Sequence, residues 1–270
     1  MKNIKWNYPK TVAEAARLIQ NSHCILHSGG TALINRNLPE NAEMIDLSHL
    51  GLDEVTKSDS EFTVGAMCSY QNLVRNLKIL APNSLLLKSL RNSANTPLRN
   101  RITLGGSIAF FPPWSDLMGA LMALEAKIEL SGKIEGQFPV LDYVQSRELR
   151  NATLIKAIRW QENGVRTEHY REIRTQSNMP LFTISAAVNM SQGHVKEARI
   201  FIVGVRDKYK RLTELESWLQ GKCFRDFIDG EIADMLSLTF AGHRINDNEY
   251  LGKKAAIQTE RLIQKLVKEI

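Results

Sequence analysis

Two diglycine segments are the residues of this 270-residue chain that most directly suggest chemistry. Ser28-Gly-Gly-Thr31 follows the short apolar run Cys24–Leu26, and Thr103-Leu-Gly-Gly-Ser107 begins within the apolar run Ile102–Leu104. Adjacent glycines allow positive φ angles and close backbone approach, and successive N–H groups of such a turn bind anions. Each segment is therefore consistent with a phosphate-binding turn or with a tight turn that only requires small residues.

Two anion-binding turns from separate parts of the chain suggest one diphosphate held between them. The dinucleotide pattern G-x-G-x-x-G and the Gly-Lys-Ser/Thr of a P-loop are both absent. Thr31, Thr103 and Ser107 add hydroxyl donors beside the turns. Asp116 is placed to accept hydrogen bonds from a ribose, to cap the helix that begins at Leu117, or to do both.

Other side chains give weaker signals. Three arginines precede the second diglycine, namely Arg91, Arg99 and Arg101. They are either solvated loop charges or ligands of a phosphate or carboxylate. His27 stands directly before the first diglycine and could touch a ligand, although a histidine that simply ends a strand is the more common case. No G-x-S-x-G motif and no suggestive pair of carboxylates occurs, so we predict no catalytic side chain.

Composition narrows the class of protein. The net charge is +6, but the basic residues are scattered and no nucleic-acid-binding motif occurs, so we expect no nucleic-acid partner. Cys24, Cys68 and Cys223 are far apart and form no C-x-x-C pair, which argues against a metal or iron–sulfur site in this chain. Free thiols and the lack of an apolar signal segment predict a cytoplasmic location, and no apolar run is long enough for a membrane span.

The hydrophobic pattern predicts the elements that position the two diglycines. A β-α-β-loop-β unit is expected up to about residue 52, with a helix capped by Thr11. A second unit of strands and helices follows, in which Arg91–Arg101 is expected to be a loop. Further elements are predicted as follows: a strand around Phe62–Ala66, a helix capped by Ser69, helices over Pro82–Leu90 and Leu117–Ala126, a hairpin from Ile128 to Phe138, and a strand over Thr153–Trp160.

The C-terminal part has a different pattern. Apolar residues alternate from Phe182 to Met190, and the chain returns over Val195–Val205, which predicts an antiparallel hairpin with one solvated face. Capping-box spacing at Thr213-x-x-Glu216 and Asn246-x-x-Glu249 predicts helix starts, and the last helix is expected over Asp247–Ile270.

These motifs together resemble the FAD-binding medium subunit of the molybdenum hydroxylases, the xanthine dehydrogenase and carbon monoxide dehydrogenase family. The resemblance covers essentially the whole chain, and its motifs are specific in combination. In chain order they are Ser28-Gly-Gly-Thr31, Ile45-Asp-Leu47, Val64-Gly-Ala66, Pro97-Leu-Arg-Asn100, Thr103-Leu-Gly-Gly-Ser-Ile108 with Ser115-Asp116, Leu121–Ala126, and Asp247 with Tyr250.

The resemblance implies an α+β fold. Residues 1–165 would form a two-lobed FAD-binding domain of the vanillyl-alcohol-oxidase (PCMH) type, with lobes of about 1–53 and 54–165. Residues 166–270 would form a C-terminal domain of antiparallel sheet and helices, like that of the carbon monoxide dehydrogenase flavoprotein.

The resemblance also implies a cofactor site. The FAD diphosphate would lie between the diglycines, Asp116 would hold the ribose, and the flavin ring would extend towards Tyr170 and Arg174. The residues expected around the diphosphate are Ser28, Gly29, Gly30, Thr31, Ala32, Leu33, Thr103, Gly105, Gly106 and Ser107.

The implied function is that of an oxidoreductase subunit that transfers electrons. Electrons would come from a [2Fe–2S] small subunit, after a molybdopterin large subunit oxidises the substrate, and would pass to NAD, a quinone or another acceptor. The sequence departs from the family pattern at Ser107, where asparagine is usual, and at Phe110, Phe111 and Trp114, where small or polar residues are usual. These rings are expected to crowd the diphosphate region, so the alternative is a flavin-free assembly subunit with the same fold.

Overall fold

The computed structural model describes residues 4–34, 36–175, 179–240 and 248–268. By their contacts, these residues divide into two compact units, each built from several stretches of the chain. Unit 1 comprises Met1–Leu80, Asn95–Phe111 and Glu125–Gln161, and unit 2 comprises Ala81–Ala94, Pro112–Leu124 and Glu162–Ile270.

The elements up to residue 161 alternate between short strands and helices. In chain order these elements are β1 (Lys5–Asn7), α1 (Val12–Leu18), β2 (Cys24–His27), β3 (Glu43–Asp46), β4 (Val55–Ser58), β5 (Glu61–Gly65), α2 (Tyr70–Leu80), α3 (Leu85–Leu90), α4 (Thr96–Arg99), α5 (Leu104–Phe110), α6 (Asp116–Ala123), β6 (Lys127–Gly132), β7 (Gly136–Pro139), α7 (Val140–Gln145), α8 (Arg147–Arg150) and β8 (Thr153–Gln161). Among them, helices α3 and α6 belong to unit 2.

The later elements all belong to unit 2. They are β9 (Val165–Glu172), β10 (Phe182–Ser191), β11 (His194–Val203), β12 (Tyr209–Arg211), α9 (Thr213–Leu219), a 3₁₀ helix (Phe224–Asp226), α10 (Glu231–Met235) and α11 (Asn248–Val267).

The first sheet of unit 1 is parallel, with strand order β1-β3-β2. Thr11 caps α1, because its hydroxyl accepts a hydrogen bond from the Glu14 N–H at 3.1 Å. The buried face of α1, Ala15 and Ala16, packs with Cys24 and Ile45 of the sheet. The predicted β-α-β-loop-β unit is thereby confirmed, and it leaves the first diglycine at the end of β2.

The second sheet of unit 1 is antiparallel, with strand order β4-β5-β8-β6-β7. Phe62 of β5 stacks on Trp160 of β8 with ring centroids 4.9 Å apart. The Ser69 hydroxyl caps α2 by accepting from the Asn72 N–H at 3.1 Å. The hairpin and strands predicted for this region are confirmed.

The segment Arg91–Arg101 is not wholly a loop, as the sequence predicted. Residues Thr96–Arg99 form the single turn α4, and the Asn95 side chain caps it by accepting from the Leu98 N–H at 3.0 Å. The signal was the Asn95 cap followed by Pro97 in the first turn, a pairing that favours a helix start even without an apolar period.

The sheet of unit 2 is antiparallel, with strand order β12-β11-β10-β9. The hairpin was predicted correctly, but the expectation of one solvated face is wrong, because every residue of β10 from Phe182 to Val188 is buried. Helix α11 and helix α6 both pack on β10. Ser185, one of the small polar residues of β10, lies close to Gly119 of α6. The polar residues that alternate along β10 therefore contact a helix rather than solvent.

The capping box predicted at Thr213 is not formed. Helix α9 begins at Thr213 itself, after Leu212, and the Glu216 carboxylate instead accepts from the Ile200 N–H at 2.7 Å and from Arg211 Nε at 2.9 Å. The cap predicted at Asn246 lies outside the described residues, as do Asp247 and the last two residues of the predicted final helix.

The predicted domain limits, 1–165 and 166–270, stay a prediction. The compact units differ from them chiefly because α3 and α6 belong with the C-terminal sheet. Among the described residues, no helix is long and apolar enough to cross a membrane.

The contact between α6 and the sheet leads to a graded prediction at Gly119. A Cβ atom placed there would lie 3.0 Å from Ser185 Oγ and 3.3 Å from Val203 Cγ2. Gly119→Ala should change stability by less than about 1 kcal/mol, since helix propensity offsets the tight contact. Gly119→Leu should cost about 1–3 kcal/mol by overpacking. Thermal denaturation of the full chain measures both, and equal midpoints for the two variants would contradict this packing.

Candidate functional site

The first diglycine forms a turn with unused backbone donors. The N–H groups of Gly29, Gly30, Thr31 and Ala32 make no hydrogen bond to any residue that the structure describes. Gly30 has φ +72°, and its carbonyl oxygen accepts from the Leu33 N–H at 3.1 Å, which closes the turn. A row of free N–H groups around a left-handed residue is an anion-binding nest.

Gly29 is fixed by the backbone that crosses it. A Cβ atom on Gly29 would lie 1.6 Å from the carbonyl oxygen of Arg101, which no side chain can tolerate. The Arg101 guanidinium in turn donates to the Gly29 carbonyl oxygen, from Nε at 3.3 Å and from Nη2 at 3.2 Å. The structure thus places a positive charge beside the nest.

The other two arginines of that segment have different described surroundings. Arg99 Nε donates to Gln71 Oε1 at 3.0 Å within unit 1, and Arg91 belongs to unit 2.

The second diglycine is helical, so the turn predicted there is wrong. Thr103 caps α5, and the backbone N–H groups that follow are occupied: Gly105 donates to the Ala66 carbonyl oxygen at 2.8 Å, Gly106 to Thr103 Oγ1 at 3.2 Å, and Ser107 to the Thr103 carbonyl oxygen at 3.0 Å. These N–H groups therefore form no second nest. A Cβ atom on Gly105 would lie 2.7 Å from the Cβ atom of Ala66, so close packing, not a positive φ, requires glycine.

One hydroxyl joins the two diglycine segments. Thr103 Oγ1 donates to Ser28 Oγ at 3.1 Å, and a Cβ atom on Gly106 would lie 3.0 Å from the same Ser28 oxygen. Within unit 1, the structure therefore brings both segments together, as expected. The hydroxyls of Thr31 and Ser107 make no hydrogen bond to a described residue, so both keep their capacity for a ligand.

Phe110 and Phe111 are not the groups nearest to the diglycines. The nearest atoms to Cβ positions on Gly29, Gly30 and Gly106 belong to Arg101, His27, Thr103 and Ser28. Phe111 ends α5 with φ +35° and is buried, as expected for a helix stopped by the prolines that follow. The guanidinium of Arg36 lies 5.4 Å from the centroid of the Phe110 ring. Trp114 belongs to unit 2.

Asp116 lies in unit 2 and is engaged there. It is the first residue of α6, but the cap predicted for it is made by Ser115, whose hydroxyl accepts from the Met118 N–H at 3.2 Å. The buried Asp116 carboxylate accepts instead from Arg171 Nε at 2.8 Å, with His169 Nε2 at 3.9 Å. Its contact with a ribose stays a prediction.

Tyr170 and Arg174, the residues expected near a flavin ring, also lie in unit 2. The Tyr170 hydroxyl donates to Glu172 Oε2 at 2.5 Å, and burial, together with this carboxylate, raises the pKa of Tyr170. Glu172 also accepts from Lys254 Nζ at 2.8 Å. Arg174 is exposed just after β9. Contacts of either residue with a flavin stay a prediction.

The sequence reasoning missed the part that Ala66 and Cys68 play at this site. The Ala66 carbonyl oxygen accepts a hydrogen bond from the Gly105 N–H, and that of Cys68 accepts one from the Leu104 N–H, which anchors the start of α5 beside β5. The pattern around Ala66 predicted only a strand, because a residue that acts through its backbone carbonyl can carry any side chain.

A nest with a neighbouring arginine, on an α+β scaffold, is suited to bind an anionic group such as a diphosphate. Residues 2–160 match the family described as FAD binding domain in molybdopterin dehydrogenase. The chain belongs to this family. It is an FAD-binding medium subunit of the molybdenum hydroxylase type and thus an oxidoreductase subunit, so the predicted family and cofactor are confirmed.

Two of the relatives that the chain resembles in sequence are named as medium chains. The chain is 24% identical over 200 residues to the glyceraldehyde dehydrogenase medium chain of Sulfolobus acidocaldarius, covering 72% of this chain and 71% of the relative. It is 28% identical over 134 residues to the carbon monoxide dehydrogenase medium chain of Hydrogenophaga pseudoflava, covering 47% of each chain.

Solved structures show the same fold. Quinoline 2-oxidoreductase from Pseudomonas putida 86 matches with a TM-score of 0.84 and 20% identity, covering 98% of this chain and 96% of that chain. Carbon monoxide dehydrogenase from Hydrogenophaga pseudoflava, in a form lacking the Mo-pyranopterin moiety, matches with a TM-score of 0.86 and 23% identity, covering 97% and 96%. The predicted α+β fold class is confirmed.

The link between the segments gives a prediction at Thr103. Thr103→Val removes the hydrogen bond to Ser28 and the cap of α5 at nearly constant volume, so it should lower the free energy of unfolding by about 1–2 kcal/mol. Thr103→Ser keeps both bonds and should stay within about 0.5 kcal/mol of the wild type. Thermal denaturation of the three proteins, with FAD removed, tests this, and a serine variant as weak as the valine variant would contradict it.

Proposed function

We propose that this chain holds FAD through the nest at Gly29–Ala32 and transfers electrons within a molybdenum hydroxylase complex. The observation that carries the proposal is the row of unused N–H groups beside the Arg101 guanidinium. An anionic diphosphate needs such donors, and the turn presents them around Gly30, which has a positive φ.

The residues present fit this cofactor. Thr31 and Ser107 carry hydroxyls without a partner among the described residues, which suits phosphate oxygens. The residues of the second diglycine act mainly as support for the nest. Thr103 bonds Ser28, and Gly105 and Gly106 allow α5 to pack closely. We assign contacts with the diphosphate region to residues 28–33 and to Ser107, the ribose to Asp116, and the flavin ring to Tyr170 and Arg174.

The chemistry belongs to the cofactor. A bound flavin accepts electrons one at a time and delivers them in pairs, and the protein supplies binding, orientation and electrostatics. This chain therefore needs no acid–base side chain of its own. In this proposal Arg101 and the nest hold the diphosphate of FAD, and the Thr103–Ser28 hydrogen bond keeps the two diglycine segments together.

The partners follow from the family and from the related medium chains. We propose that the chain assembles with a [2Fe–2S] small subunit and a molybdopterin large subunit, receives electrons from the former, and passes them to NAD or another acceptor. Its three cysteines are free thiols, which supports a location in the reducing cytoplasm.

Reconstitution with FAD tests the cofactor assignment. Wild-type protein should become yellow, with absorbance near ~375 and ~450 nm. Arg101→Gln keeps the backbone and removes the charge, so FAD affinity should fall about tenfold while the thermal midpoint changes little. Gly29→Ala should lose both FAD and stability, because its Cβ atom would meet the Arg101 carbonyl oxygen.

Gly164→Asn is a matched control for these variants. Gly164 has φ +67° with open space around it, and asparagine tolerates that conformation. The control should keep wild-type affinity for FAD. Wild-type protein that stays colourless after reconstitution, with an intact fold, would overturn the proposal.

Assembly of the whole complex tests the electron path. A complex assembled with the wild-type chain but without FAD should still reduce its iron–sulfur centres with substrate, while reduction of the acceptor should fall by more than about tenfold, since no FAD is held. Unchanged reduction of the acceptor by a flavin-free complex would favour the alternative of an assembly subunit.

A further inference from the structure

We propose that His27 is a further FAD-binding residue, whose protonated ring donates from Nε2 to the diphosphate while Asp46 stabilises the charge from the Nδ1 side. This inference rests on the proposed function, because it concerns the same nest. In the sequence His27 was only the residue before a diglycine, and the structure gives it two specific neighbours.

The first neighbour is the nest itself. His27 is the last residue of β2, and its Nε2 lies 2.9 Å from where a Cβ atom on Gly30 would stand. The ring thus fills the side of Gly30 that a side chain would occupy. Gly30 lies within the row of unused N–H groups, so an anion held by that row lies next to Nε2.

The second neighbour is a carboxylate. His27 Nδ1 is buried without a hydrogen-bond partner among the described residues, and Asp46 Oδ2 lies 3.8 Å from it. Burial acts to raise the pKa of Asp46, but hydrogen bonds from Ser48 and the nearby His27 and His49 outweigh it and lower the pKa overall. Asp46 is therefore ionised at neutral pH and faces an imidazole nitrogen that lacks a partner.

Two further described groups lie near the ring, a cation and an aromatic ring. Arg101 Nη2 lies 3.7 Å from the same Cβ position on Gly30, and the Trp6 ring meets His27 edge-on at 4.9 Å between centroids. Arg101 thus brings a positive charge and Asp46 a negative charge close to the ring, while exposed His49 acts on Asp46 from the loop after β3. An anionic diphosphate shifts this balance towards the protonated ring.

A neutral imidazole cannot satisfy both neighbours. It carries one N–H, so either Nδ1 or Nε2 must turn a lone pair towards an anion. The imidazolium has two donors. Its Nε2–H can donate a charge-assisted hydrogen bond to a phosphate oxygen, and its Nδ1–H faces the Asp46 carboxylate at ion-pair distance. Binding of FAD is therefore coupled to uptake of a proton, and FAD affinity is higher at low pH.

Titration of the apoprotein with FAD, followed by quenching of flavin fluorescence between about pH 5.5 and 8.5, tests this across the range where histidine titrates. Wild-type affinity should weaken by about tenfold over that range. His27→Gln should bind FAD with little dependence on pH. Asp46→Asn keeps an oxygen acceptor for Ser48 but loses the charge, so its transition should move to lower pH.

His49→Gln is the matched control, since it removes a histidine near Asp46 that does not touch the nest, and it should keep the wild-type slope. Circular dichroism verifies that each variant is folded. A wild-type slope in folded His27→Gln would overturn the inference while leaving the proposed function intact. Failure of wild-type protein to bind FAD at any pH would overturn both.

Discussion

The candidate site depends on one close backbone contact, the approach of the Arg101 carbonyl oxygen to Gly29. A Cβ atom at Gly29 would lie 1.6 Å from that oxygen, so only glycine permits the crossing. Because the two backbones cross here, the Arg101 guanidinium can donate to the Gly29 carbonyl oxygen. Thr103, two residues later, lies where its hydroxyl can donate to Ser28 Oγ. The charge, the nest and the start of α5 are therefore positioned by a single steric condition.

The two diglycines look alike in sequence but have different structural roles. At the first, the N–H groups of Gly29 to Ala32 remain unused, and Gly30 needs its positive φ. At the second, the N–H groups of Gly105 and Gly106 are used inside unit 1, and the glycines let α5 pack against Ala66. The first segment keeps backbone donors unused, and the second packs beside it through the Thr103–Ser28 hydrogen bond.

Unit 2 illustrates how chain order and spatial grouping differ. Helix α6 directly follows the prolines after α5, yet it packs on β10 and β11, where Gly119 meets Ser185 and Val203. Its first residue, Asp116, is bonded to Arg171 of β9. A family motif that runs without a gap from Thr103 to Asp116 thus spans the boundary between two compact units, so a single motif specifies residues in both.

The sequence alone determined the family, the cofactor, the α+β class and most elements, because diglycine spacing and apolar periodicity are local properties of residue type. It also predicted that Ser28–Thr31 and Thr103–Ser107 lie together, and the Thr103–Ser28 hydrogen bond joins them. Only the tertiary structure decided which diglycine keeps free donors, that Arg101 lies at the nest, and that β10 is buried on both faces. Those outcomes depend on backbone groups and long-range contacts, such as the Gly105 N–H bound to the Ala66 carbonyl, which side-chain identity does not encode.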